Sequence, residues 1–207
     1  MELIDTVFLV IVIIFSAVIH EVMHGVAADR LGDPTARYAG RLTLNPISHL
    51  DPFGSVILPL VLAFSGSSFF FAWAKPVPYN PFNLRPGRFS EAIVAGAGPL
   101  SNIVIALITG IIIRTGLLAP ANNVLFLIVV VNVMLCIFNL IPVPPLDGSK
   151  ILSSLLPQSL ANGYNTWRTK MEMNPFLGMG LVVLIIIVVG GEFGSFVFSV
   201  ARTIAGI

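Results

Sequence analysis

His20-Glu21-Val22-Met23-His24 sets two imidazoles four residues apart with a carboxylate between them. On a helix, positions i and i+4 stack on one face ~6 Å apart, so both rings can grip one metal ion. The glutamate beside them can take a proton from water at that ion, which is the chemistry of a zinc hydrolase. Leu9-Val10-Ile11-Val12-Ile13-Ile14-Phe15 precedes the motif and Val26-Ala27-Ala28 follows it. The run from Leu3 to about Ala28 therefore reads as a membrane span, and ionisable groups at that depth point to function.

Two histidines leave a catalytic zinc short of a ligand, since such sites use three protein donors and one open position. The remaining candidates are His49, Glu91, Asp147, Glu172 and Glu192. Asp147 stands out: prolines before it and Gly148 after it let the backbone turn and present a carboxylate. The same aspartate can also cap the helix that it opens.

The elements that must position these groups are written in an apolar composition. The chain has 207 residues, 56% of them hydrophobic and only 10% charged. Soluble domains carry about 25% charged residues, so an all-α polytopic membrane protein is expected. A net charge of +1 offers nothing to nucleic acid. The single cysteine, Cys136, excludes an internal disulfide and reads as packing. The first apolar run lacks a basic n-region and a small-residue cleavage site, so it does not read as a removable signal peptide.

After the first helix, Arg37–Leu44 reads as a small extended or β segment. Ser55–Trp73 is apolar but interrupted by Pro59 and by Ser65-Gly66-Ser67-Ser68. Lys75–Arg88 is a proline-rich loop. Ser90–Arg114 and Asn122–Ile141 are clear spans, and Asp147 opens a short helix to about Leu156. Pro175–Val189 and Phe193–Ile204, split by Gly190-Gly191-Glu192, read as a C-terminal helical hairpin.

With these residues in place, the chain resembles the site-2 protease family of intramembrane zinc metalloproteases. The resemblance lies in His20-Glu21-Val22-Met23-His24, in Ala97-Gly98-Pro99-Leu100-Ser101-Asn102, and in Asn139-Leu140-Ile141-Pro142-Val143-Pro144-Pro145-Leu146-Asp147-Gly148. It implies one Zn2+ per chain held by His20, His24 and Asp147, with Glu21 as general base. It also favours Asn139 as a donor to substrate or oxyanion; Asn102 reads as either such a donor or an interhelical contact. A single membrane-embedded metalloprotease domain is expected over 1–207, with a three-helix core over about 3–156 and C-terminal helices over about 175–206. The sequence departs from longer family members in having no room for a PDZ domain, which leaves substrate delivery to a separate adaptor or regulator.

Topology supplies a further constraint. For Asp147 to share an ion with His20 and His24, an even number of crossings must separate them. Ser90–Arg114 and Asn122–Ile141 supply two, so Ser55–Trp73 is expected to be re-entrant or interfacial. That arrangement puts Arg30, Arg37, Arg41, Lys75, Arg85, Arg88, Lys150, Arg168 and Lys170 on one side and Arg114 on the other, nine to one. Three crossings would divide them four to six, with no bias. The positive-inside rule then places the active site toward the cytoplasmic face of the cell membrane. The expected substrate is a membrane protein with a transmembrane segment, cleaved in regulated intramembrane proteolysis, by water that zinc activates and Glu21 deprotonates. Two other classes are a metal-ion transporter, which would show polar residues along one helix face, and an inactive scaffold, which an intact Glu21 argues against.

Overall fold

With no glycine or proline before Gly25, α1 (Leu3–Arg30, 28 residues) continues unbroken through the histidine motif. The computed structural model describes residues 3–51, 54, 57, 61, 64 and 75–207. Its contacts divide the chain into two compact units, up to Leu84 and from Arg85 onward. Among the described residues, four helices are long and apolar enough to cross a membrane: Thr6–Arg30, Ser90–Thr115, Ala119–Asn139 and Phe176–Ala205. There is no strand among them, and the protein is an all-α polytopic membrane protein.

In the first unit, α1 closes at Gly32, whose φ of 105° only glycine adopts readily. The buried Asp33 then accepts from the Thr35 N–H at 3.2 Å and from the Thr35 hydroxyl, which turns the chain into α2 (Thr35–Tyr38). This corrects the extended segment expected over Arg37–Leu44. Its beginning is helical, with Tyr38 N–H bonded to Pro34 O and Ala39 N–H to Thr35 O. The local Asp33–Thr35 bonds outweigh the weak alternation of apolar and polar residues. A 3-10 turn at Pro46–His49 follows, with the Asn45 side chain accepting from Ile47 N–H at 3.1 Å.

Ser55–Trp73 lies largely outside the described residues, but the chain on either side of it is placed. Lys75 N–H donates to His49 O at 2.9 Å. Lys75–Asn80 then runs without regular structure into a 3-10 turn at Pro81–Asn83.

The second unit is built on α3 (Ser90–Thr115), α4 (Asn122–Asn139) and α7 (Pro175–Ala205). Their shared core is Ala106, Ile113, Val129, Val133, Val197, Ala201 and Ala205. Small residues let the backbones close up, as expected where lipid offers no hydrophobic drive between helices. A Cβ on Gly110 would stand 2.8 Å from Ile204 O. Between α4 and α7 lie α5 (Asp147–Leu155) and α6 (Gln158–Met173).

One end of this unit gathers Arg88, which donates to Ser154 O at 2.9 Å, and Glu91, which accepts from Arg168 at 2.9 Å. The other end has Arg114 donating to Ile204 O at 2.8 Å. The expected C-terminal hairpin is therefore corrected. Pro175–Ala205 is one continuous helix of 31 residues that crosses the unit once and ends beside Arg114. Gly190 and Gly191 cost the helix only about 1 kcal/mol each, whereas opening the backbone in lipid would leave unpaired amides at several kcal/mol apiece.

Candidate metal centre

Helical periodicity alone brings the two imidazoles of α1 together. His20 and His24 are 6% and 8% exposed, with their Nε2 atoms 3.1 Å apart and their rings nearly perpendicular, at 87°. Two nitrogens sharing a tetrahedral zinc at ~2.05 Å stand ~3.3 Å apart, so this pair fits bidentate ligation with little adjustment. Glu21 Oε2 accepts a hydrogen bond from the backbone N–H of Val77 at 2.8 Å. One turn farther along, Gly25 lies under Val77 and Leu42: a Cβ there would sit 2.8 Å from Val77 Cγ1 and 2.7 Å from Leu42 Cδ2.

In the second unit Asp147 is the first residue of α5 and is 8% exposed. A tight turn delivers it, with Val143 N–H bonded to Ile141 O at 2.8 Å and Leu146 N–H to Val143 O at 2.9 Å. Gly148 packs directly on the chain that leaves α4. A Cβ there would fall 2.2 Å from Leu140 O and 2.5 Å from Ile141 O, so no side chain fits without moving backbone. Tyr164 on α6 donates to Pro142 O at 2.9 Å and pins the turn from outside. Burial raises the Tyr164 pKa, keeping its hydroxyl a donor at neutral pH.

Asn139 ends α4 and donates through Nδ2 to Leu135 O at 2.9 Å, leaving the amide's second N–H for another partner. Asn102 is fully buried in α3 and donates to Asn132 Oδ1 of α4 at 2.9 Å. This bond joins α3 to α4.

The rival carboxylates are engaged otherwise or stand apart. Glu91 pairs with Arg168 at 2.9 Å, and Glu172 lies 3.9 Å from the same guanidinium. Glu192 is exposed midway along α7. His49 is 1% exposed, donates through Nε2 to Thr43 O at 2.9 Å, and has Arg41 Nη2 at 3.5 Å from Nδ1, all of which hold a loop. Two groups went unnoticed in the sequence. Val77 meets Glu21 across 56 residues, and Asp33 accepts from Asn80 N–H across 47. The only hint was Pro76-Val77-Pro78, in which a single N–H stands between two residues that have none.

Comparison with known proteins agrees with this chemistry. The sequence model of Peptidase family M50 matches residues 117–186, the stretch from the end of α3 through Asp147 into α7. A Bacillus subtilis (strain 168) protein named as a zinc metalloprotease, YwhC, is 37% identical over 160 residues, covering 72% of this chain and 69% of the relative. A Mycolicibacterium smegmatis protein named as a zinc metalloprotease, Rip2, is 31% identical over 140 residues, covering 65% of this chain and 52% of that protein. No solved structure matches the chain significantly. A histidine pair spaced for zinc inside an apolar helix, and this likeness over most of the chain, lead to one assignment: the chain belongs to peptidase family M50, the site-2 type of zinc metalloprotease.

Proposed function

We propose that this chain is an intramembrane endopeptidase that hydrolyses peptide bonds in or near transmembrane segments of membrane-protein substrates, as in regulated intramembrane proteolysis. His20, His24 and Asp147 are the ligands of a single zinc in this reading, the set that the family's motifs imply. The observation that carries it is the His20–His24 pair, 3.1 Å apart within a 25-residue apolar span. A donor pair at that depth acts on something that is itself in the lipid.

When bound, zinc polarises the scissile carbonyl and makes water acidic enough to attack at neutral pH. Glu21 takes the proton of the attacking water and passes it to the leaving amine. Two imidazoles and two carboxylates against a divalent ion make a formally neutral set, which lowers the cost of keeping it out of water. Asn139 keeps one amide N–H for the substrate carbonyl, while Asn102 braces α3 against α4 through Asn132.

The side of action is cytoplasmic in this reading. With α7 as one crossing, Arg202 joins Arg114, and the basic residues divide nine to two in favour of the active-site side.

Metal analysis combined with cleavage of a transmembrane model substrate in proteoliposomes tests this. Glu21→Gln should keep its zinc and lose cleavage by ~10²-fold or more. Asp147→Asn should lose both, and Glu91→Gln neither. Wild-type cleavage by the Glu21→Gln enzyme would sink the proposal.

A further inference from the structure

We infer that the backbone N–H of Val77 is the positioning group for Glu21, fixing the carboxylate so that Oε1 is the oxygen that receives the proton. The inference rests on Glu21 acting as general base. Glu21 Oε2 and Val77 N are 2.8 Å apart, and a hydrogen bond to a carboxylate is about twice as strong as a neutral one. A glutamate on a helix has three side-chain torsions, and this bond removes most of that freedom. A base misplaced by about 1 Å can cost ~10²-fold in rate.

The strap that carries Val77 is built to hold this one donor in place. Pro76 and Pro78 have no N–H, and a residue preceding proline is confined to extended conformations. Lys75 and Val77 both precede a proline, so the strap is stiff without belonging to a sheet. Lys75 N–H is bonded to His49 O at 2.9 Å. Arg41, 8% exposed, donates to Lys75 O at 2.8 Å and to Pro76 O at 3.4 Å. The Val77 side chain is 5% exposed and packs over Gly25, one helical turn beyond Glu21. The Thr43–His49–Arg41 network anchors this strap, and the one N–H between its two prolines is given to the base.

Val77→Pro deletes the N–H, and Val77→Ala keeps it. On a transmembrane model substrate, Val77→Pro should lower kcat by ~10- to 100-fold while KM and zinc content stay within about twofold. Val77→Ala, which keeps the N–H and gives up only side-chain packing, should lose less kcat than Val77→Pro by about fivefold or more. Replacing residue 77 by its α-hydroxy acid, which turns the amide into an ester and leaves the side chain in place, should reproduce the kcat loss and serves as the deciding measurement if the proline variant misfolds. In a Glu21→Asp background, whose shorter carboxylate already loses the contact, Val77→Pro should add less than about twofold. An ester enzyme with wild-type kcat, or a full additional loss on top of Glu21→Asp, would overturn the inference. Wild type that fails to cleave at all takes the protease reading down with it, whereas wild-type cleavage alongside an unaffected ester enzyme defeats the Val77 role alone.

Discussion

His20 and His24 ride on an unbroken 28-residue helix, whereas Asp147 opens a helix of 9 residues behind a proline-rich turn. The first pair is presented by periodicity: every helical backbone puts i and i+4 on one face, so many sequences around it would serve. The aspartate is presented by backbone packing, with Gly148 against the carbonyls of Leu140 and Ile141, and almost nothing but glycine will serve there. Donors set by periodicity should tolerate changes nearby, and donors set by a turn should not.

Matched glycine substitutions are the sharpest way to break that comparison. In Gly148→Ala the new Cβ meets two carbonyl oxygens at 2.2 and 2.5 Å, so the turn itself has to move. We expect a loss of about 3 kcal/mol or more, seen as a lower Tm in detergent and reduced zinc content. In Gly25→Ala the Cβ meets side chains and no backbone, with Leu42 Cδ2 at 2.7 Å, Val77 Cγ1 at 2.8 Å and Ala36 Cβ at 3.1 Å, and the helix gains up to ~1 kcal/mol in propensity. The net loss should be smaller than that of Gly148→Ala, with zinc retained. Equal losses for the two would remove the distinction.

A second carboxylate shows how much a local network contributes without metal. Burial alone would raise the Asp33 pKa. Hydrogen bonds from the Thr35 hydroxyl, the Asn83 amide, Asn80 N–H and Thr35 N–H outweigh burial and hold it below the ordinary 3.8. A folded-state pKa below the unfolded one means stability that is complete above the unfolded value and fades as pH falls through the folded one. Asp33→Asn should cost about 1–3 kcal/mol at pH 7, by thermal unfolding, and flatten the acid limb of the wild-type stability curve. An unchanged acid limb would count against the network.

The smallest effect is expected at Glu91. Its pairing with Arg168 is partly exposed, at 28% and 12%, so Glu91→Gln should lower stability by only ~0.5–1 kcal/mol. Zinc content should not change.

What was legible in the sequence follows the same division. The spans and the histidine spacing repeat a short period, so composition and pattern reveal them. Asp33 with Asn80 and Glu21 with Val77 join residues 47 and 56 apart, and no local pattern encodes such meetings. The hairpin expected at the C-terminus came from weighing Gly190-Gly191-Glu192 as it would be weighed in water, where a broken helix finds new partners. In lipid it finds none, so the helix runs on. The start of Arg37–Leu44 is helical rather than extended because a buried aspartate two residues ahead of Thr35 decides the turn.

At ~1.5 Å per residue, the 31 residues of α7 reach ~46 Å and the 18 of α4 only ~27 Å, against a hydrocarbon layer of about 30 Å. Neighbours so unequal in reach cannot both stand upright in one leaflet pair. The longer must lean or carry its ends into the headgroups, and the local bilayer must thin or thicken to meet them. Bilayer thickness, a property of the lipid rather than of any side chain, thereby gains a mechanical hold on this enzyme.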